Sequence, residues 1–418
     1  MLINFFLNAT GVSTDTRTVK EGDLFFALKG DNFDGNQYAN LALQKGASYA
    51  IVDDVSLKDS HPQLIYVEDT LKSLQDLARS YRRYLNKPVI ALTGSNGKTT
   101  TKELINIVLS KKYKVHCTKG NLNNHIGVPL TILSCPKDID FLLIEMGANH
   151  QGEIDTLCSI AEPDYGMITN IGKAHLEGFG GIEGVKKGKS ELYRYLSNKE
   201  GVIFCNEGDA VLLNLLPKEG EVIHYNTNAT TIESPDFLKF MYKDLLFETK
   251  LFGSHNMANA IAAIEIGIYF NVSTDNIVSA IKQYIPENNR SQVALIGGKK
   301  IIKDAYNSNP SSLMASLVAL LKQYEAKKLV LILGDMLELG VYSDEEHQKI
   351  LEFINSYDFQ SVWLIGKEFL KHKATGYDFN FYETTDEAKN EFDTKLYSEE
   401  TIIFLKGSRG IAVENILK

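Results

Sequence analysis

The stretch PVIALTGSNGKTTTKELINIVLSK, residues 88–111, decides the fold. It reads as an apolar strand, a glycine-bearing turn and a helix, in that order. Within it, TGSNGKTT at 93–100 has the composition of a phosphate cradle: Gly94, Ser95, Asn96 and Gly97 let backbone N–H groups approach phosphate oxygens. Lys98 reaches the outer phosphates, and a hydroxyl of Thr99 or Thr100 suits Mg²⁺. The loop is shorter than the general GxxxxGK[ST] form, because Leu92 stands where the first glycine is expected and the glycine comes two residues later. A tight turn with a solvated lysine is the bland reading. The strand, the two glycines, the lysine and the three threonines together argue against it.

Outward from this stretch, apolar strands recur at DFLLIEMG, YGMITNIG and GVIFCNE with helical runs between them, the alternation of a mainly parallel sheet covered by helices. That pattern runs to about residue 285 and defines a central nucleotide-binding domain over 85–287. Upstream, DLFFAL, YAIVDD and QLIYVE with the helical LKSLQDLARSYRRYL make a small α/β domain over 1–84, and the opening MLINFF reads as its first strand. Downstream, KKIIKDAY, KLVLILGD, SVWLIG and TIIFLK alternate with helices near 311–324 and 344–355, a third, Rossmann-like α/β domain over 288–418. The expected fold is therefore α/β in three domains, which suits a length of 418 residues.

Bulk properties exclude several classes. With 44% hydrophobic and 23% charged residues the chain is an ordinary globular one. Neither a secretory leader nor an apolar run long enough to span a bilayer is read from it. Cys117, Cys135, Cys158 and Cys205 are scattered without metal or redox spacing, which fits a reducing cytosol. A formal charge of −9 disfavours nucleic acid, so a polyanionic ligand must meet a local basic cluster. A monomer is the expected state.

Further blocks follow in order: GNLNNHIGVPLTIL (120–133), EMGANHQGEI (145–154), NIGKAHLEGFG (170–180), GSHNMANAIAA (253–263), NNRSQ (288–292), DAYNSNP (304–310), LGDMLELG (333–340) and LKGSRG (405–410). With the short TGxxGKTT loop they resemble the Mur ligase superfamily, over nearly the whole chain. DAYNSNP, GDMLELG and KGSRG are most similar to the member that adds D-alanyl-D-alanine to UDP-N-acetylmuramoyl-tripeptide, and the DNPR motif typical of the preceding step is not present. STDTRTVKEGDLFFALKGDNFDGNQYA is like the UDP-binding domain of the last two ligases, with Thr16 before Arg17 where a serine is usual.

The resemblance implies an ATP-dependent acid–amino-acid ligase working through an acyl phosphate, with Mg²⁺, two ions in all. Positioning and charge neutralisation then carry most of the catalysis. By motif match, Thr99 and Glu145 hold one ion, His175 serves as a further ligand, and Lys189, carbamylated by CO₂, holds the second. Each has a plain alternative: a solvated strand end for Glu145, a surface or core histidine, one solvated lysine among Lys186, Lys187 and Lys189. Asn256 and Asn259 are expected to pair with an adenine edge or to cap a helix, Asp304 to accept ribose hydroxyls, and Arg290 to reach the γ-phosphate. Asn123, Asn124 and His125 border the substrate carboxylate; Tyr306, Asn307, Asn309, Ser408 and Arg409 form the dipeptide pocket, although Pro310 suits a simple helix start. Thr16 and Arg17 are the expected uridine contacts.

The competing readings are another superfamily ligase (tripeptide-forming or folylpolyglutamate synthase), an ATPase switch with protein partners, and a binding protein that kept only the fold. The UDP-domain resemblance opposes the folate enzyme. Retention of Lys98, Thr99, Glu145, His175 and Lys189 together opposes the last.

Overall fold

The computed structural model describes residues 2–234, 236–287 and 289–417, so Asn288, which opens the NNRSQ block, lies outside the described residues. Three α/β layers follow one another along the chain. The first holds a four-stranded, all-parallel sheet in the order Val12–Ser13, Leu24–Phe26, Tyr49–Val52, Leu64–Tyr66. Helix Thr70–Leu85 crosses it, opened by Asp69, whose carboxylate accepts Lys72 N–H, and closed by Asn86 in the left-handed conformation.

The expected first strand is instead the helix Leu2–Leu7. It packs across helix Thr70–Leu85 and the sheet rather than adding a strand: Phe6 sets its ring edge-on to Tyr81 of the helix at 4.8 Å, and Phe5 does the same to Tyr49 of the sheet. Asn8 closes the last turn by donating to the Asn4 carbonyl. Six residues of one apolar run carry no periodicity that separates the two forms, and the tertiary contact decides.

The central sheet has six parallel strands in the order Glu221–Tyr225, Val202–Asn206, Tyr165–Ile168, Val89–Thr93, Phe141–Glu145, Val115–Cys117. Val89–Thr93, buried at every position, lies between Tyr165–Ile168 and Phe141–Glu145, so the loops leaving these three strands meet at one edge. The parallel alternation does not continue unbroken to 285. A three-stranded antiparallel sheet, Thr230–Ile232, Lys239–Tyr242 and Leu245–Glu248, interrupts it. Its second turn has both Lys243 and Asp244 at positive φ, the geometry of a two-residue hairpin.

The last sheet runs Gln292–Ile296, Lys299–Lys303, Ile402–Lys406, Leu329–Gly334, Ser361–Ile365, Asn380–Tyr382, parallel except for the first strand. That antiparallel edge strand is an addition to the expected set, joined through Gly297 and Gly298, both at positive φ. Helix Pro310–Gln323 begins with a capping box between Asn309 and Ser312. No helix among the described residues is long and apolar enough to cross a membrane.

Candidate active site

The loop between Val89–Thr93 and helix Lys98–Leu109 is held open by its neighbours. Ser95 N–H donates to the Asn170 carbonyl, Asn96 N–H to the Asn170 side chain, and Thr169 Oγ1 to the Asn96 carbonyl. A Cβ on Gly94 would fall 2.0 Å from Thr169 Oγ1, and one on Gly97 2.4 Å from Asn259 Oδ1, so only glycine fits at either place. Gly97 opens the helix at φ 78° without a side-chain cap, leaving the first-turn N–H groups for an anion. Lys98 curls over the loop, its Nζ 2.7 Å from the Gly94 carbonyl, and burial pushes its ammonium below the ordinary lysine value.

Glu145 ends its strand beside this helix, 2% exposed. Its Oε1 accepts Thr99 Oγ1 (3.2 Å) and Asn123 Nδ2 (2.9 Å); its Oε2 makes no hydrogen bond, with only Lys102 Nζ at 3.5 Å. A buried carboxylate oxygen left open next to a threonine hydroxyl is what an oxygen-seeking divalent ion requires, so the donor set fits Mg²⁺. His175 stands in the left-handed conformation, and its Nδ1 lies 2.5 Å from Oε2 of Glu338, which comes from the LGDMLELG block of the last sheet. Lys189 is 1% exposed, and its Nζ donates to the Ala148 carbonyl at 3.0 Å under the Phe179 ring. Burial, then the charge of Lys98, hold its ammonium well below the ordinary lysine value.

Asn256 and Asn259 do not cap their helix. Asn256 Nδ2 donates to the Phe252 carbonyl and to Ser291 Oγ, and its Oδ1 accepts Asn259 Nδ2; Asn259 Oδ1 in turn accepts Thr101 Oγ1. The pair thus links the hinge before the last sheet to the helix of the phosphate loop. Asp304 accepts Ser291 N–H, Ser316 Oγ and, at 2.6 Å, Lys406 Nζ. Burial alone would raise its carboxyl, but Lys406, His255 and these hydrogen bonds bring it below the ordinary value. Arg290 lays its guanidinium 3.5 Å above the Tyr306 ring.

These side chains surround one cleft of about 890 Å³, which gathers Ser95, Asn96, Gly97, Lys98, Thr99, Thr100, Asn123, Asn124, His125, Glu145, His175, Asn256, Asn259, Arg290, Asp304, Tyr306, Asn307 and Asn309. Several are already engaged. Asn124 Oδ1 accepts the N–H groups of Ile126 and Gly127, and the His125 carbonyl accepts Gln75. Asn309 caps its helix and passes Nδ2 to Asn96 Oδ1 at 2.7 Å, tying the last sheet to the phosphate loop. Ser308 N–H donates to the Asn307 side chain.

Several residues expected at the site lie off the cleft. Ser408 is buried, receiving Leu337 N–H and donating to the Ser308 carbonyl. Arg409 faces an adjoining cavity of about 640 Å³, which it shares with Arg290 and Tyr306, and pairs with Glu414. Thr16 and Arg17 are on the turn after Val12–Ser13, outside both cavities, with Arg17 folded onto Asp15 at 2.6 Å. Lys189 lies behind the cleft wall, not on it. Sequence reasoning missed Lys102, Asn170, Ser291, Glu338 and Lys406. Asn170, Ser291, Glu338 and Lys406 stand inside motif blocks, and that position is the signal that marks them.

Fold and site together define the class: a P-loop nucleotide-binding protein whose cleft is closed from the far side by a second, mostly parallel sheet. Three family models match, the Mur ligase middle domain over 92–267, the Mur ligase glutamate ligase domain over 289–409, and the Mur ligase family catalytic domain over 8–82. The chain belongs to the Mur ligase family. It is 34% identical to UDP-N-acetylmuramoyl-tripeptide--D-alanyl-D-alanine ligase of Bacillus subtilis, over 98% of this chain and 92% of the relative. A crystal structure of MurF from Acinetobacter baumannii has a TM-score of 0.88 at 31% identity, covering 97% of this chain and 92% of that one. MurF ligase from Thermotoga maritima in complex with ADP has a TM-score of 0.86 at 27% identity, covering 99% and 97%.

Proposed function

We propose that the chain joins D-alanyl-D-alanine to UDP-N-acetylmuramoyl-tripeptide at the expense of ATP. The observation that carries the chemistry is Glu145: a buried carboxylate with one oxygen tied to Thr99 and Asn123 and the other without a hydrogen bond, at the mouth of the phosphate loop. The family and the relatives above supply the substrates.

In this reading the phosphate loop and Lys98 hold the β- and γ-phosphates, and Thr99 and Glu145 hold one Mg²⁺. Mg²⁺, when bound, offsets the charge on the transferring phosphate. The tripeptide carboxylate attacks the γ-phosphorus, ADP leaves, and the acyl phosphate forms. The dipeptide amine then attacks the acyl carbon, phosphate departs, and one proton is released as the amide forms. Asn123 orients Glu145; Arg290 adds positive charge on the side of the last sheet, where Lys406 is paired with Asp304. Lys189, if carbamylated by CO₂ as the family resemblance implies, would hold a second ion together with His175 and supply it with a carboxylate-like oxygen. Thr16 and Arg17 carry the uridine end, and residues 1–84, 85–287 and 288–418 act as the precursor, nucleotide and amine domains. Tyr306, Asn307 and Arg409 line the dipeptide's approach.

Oxygen tracing tests the route. With the acceptor carboxylate labelled in both oxygens with ¹⁸O, the acyl-phosphate path delivers one label to the released phosphate. Unlabelled phosphate released alongside pentapeptide would rule the intermediate out.

A further inference from the structure

The loop Met146–Gly152 leaves the strand that ends in Glu145, and helix Glu153–Ala161 follows it. That helix has glycine, Gly152, at its start and no side-chain cap of its own. Its cap comes from elsewhere in the chain. Glu191, 5% exposed, directs Oε1 to Gly152 N–H at 2.7 Å and Oε2 to Asp155 N–H at 2.9 Å. Both oxygens of a buried carboxylate are thus spent on the first-turn N–H groups of another segment, at charge-assisted distances. Two residues earlier, Lys189 Nζ donates to the Ala148 carbonyl in the same loop. On the loop's outer side, Glu153 accepts the N–H groups of Asn149 and His150.

Residues 189–191 therefore grip the loop at two points, Ala148 and Gly152, and the loop begins at Glu145. We propose that Glu191 is a positioning residue for the metal site: by holding the loop at Gly152 and Asp155 it sets where Lys189 stands relative to Glu145. This rests on the reading of Lys189 and Glu145 given above. An ordinary helix cap would contribute stability only. A clamp between two ligand carriers predicts a loss of metal affinity beyond what lost stability causes, because the spacing of ligands sets the affinity.

The test compares Glu191→Gln, in which an amide N–H₂ must face a backbone N–H, with Asp209→Asn. Asp209 caps helix Ala210–Asn214 through the N–H groups of Val211 and Leu212, well apart in the chain from the cleft residues, and controls for loss of a cap. Two quantities are read on the full-length protein: the Mg²⁺ concentration that half-saturates ADP binding by calorimetry, and the carbamate resonance in ¹³C NMR with ¹³C-bicarbonate. The proposal expects Glu191→Gln to raise the Mg²⁺ requirement by about 10-fold or more, the range seen for outer-shell changes, and to weaken the carbamate signal, with Asp209→Asn unchanged in both. Wild-type values in Glu191→Gln, or equal shifts in the two variants, would overturn it. If wild type itself gives no carbamate signal, the Lys189 assignment fails and the proposal falls with it; a wild-type signal left unchanged in Glu191→Gln overturns the clamp alone. Should Glu191→Gln not fold, Glu191→Asp, which keeps the charge but shortens the reach, is read the same way.

Discussion

Asn259 illustrates how much one side chain does here. Its amide accepts from Thr101, donates to Asn256, and packs against Gly97 closely enough to exclude any Cβ there. HNxxN suits adenine contact and helix cap alike; the structure removes the cap and supplies a third role, bracing the phosphate loop. Asn259→Ala leaves the Thr101 hydroxyl and the Asn256 amide short of partners in a buried setting, which costs about 1–3 kcal/mol. Because the loss falls on the loop, we expect ATP affinity to drop by about 10-fold, at about 1.4 kcal/mol per decade, with melting lowered by only a few degrees. Nucleotide titration checks it, and unchanged affinity would return Asn259 to a purely structural part. The phosphate loop and Glu145 were legible because strand, turn and helix stand next to one another in sequence. The burial of Lys189 and the Glu338 partner of His175 were not, because each depends on segments far apart in the chain meeting in space.

Among the elements, the long buried strands such as Val89–Thr93 and Leu329–Gly334 declared themselves by composition, whereas short ones did not. Lys243–Asp244 makes a hairpin turn without the Asn-Gly or Asp-Gly signature, so its small sheet went unread. Gly297–Gly298 carries such a signature, and it marks the hairpin that adds the antiparallel edge strand. The segment after strand Leu329–Gly334 is fastened by His347, fully buried, whose Nε2 accepts Met336 N–H while Nδ1 donates to the Ser343 carbonyl. Burial holds this imidazole below its ordinary value, so it stays neutral in the fold. The unfolded chain binds a proton there below about pH 6.5 and the folded chain does not, so stability is level above that pH and falls beneath it, by about 1.4 kcal/mol per pH unit per proton. Burial lowers His255 in the same direction. Urea midpoints at pH 7.5 and 5.5 measure this, with the lower pH less stable; equal midpoints would mean that His347 accepts a proton without loss of the fold.

At the scale of the whole molecule, three parallel-sheet units meet around one cleft, and the last is drawn onto the central one by polar contacts at several points, His175 with Glu338 and Asn256 with Ser291 among them. Lys173 Nζ lies 2.6 Å from Glu346 Oε1, Lys173 N–H donates to Ser311 Oγ, and Asn309 reaches Asn96. Lys173 is half exposed, so its ion pair is worth about 1 kcal/mol at most. Lys173→Ala is accordingly expected to shift the chain toward a more open form, with a larger radius of gyration by solution scattering and a turnover lower by about fivefold at most. An unchanged radius and turnover would show that the other contacts suffice. The most direct test of the account as a whole is phosphate release from Mg²⁺-ATP with product mass spectrometry, using UDP-N-acetylmuramoyl-tripeptide with and without D-alanyl-D-alanine. Phosphate release that depends on both substrates and matches a UDP-pentapeptide product one for one is expected; phosphate release without that product, or none in the presence of both, would overturn the ligase assignment.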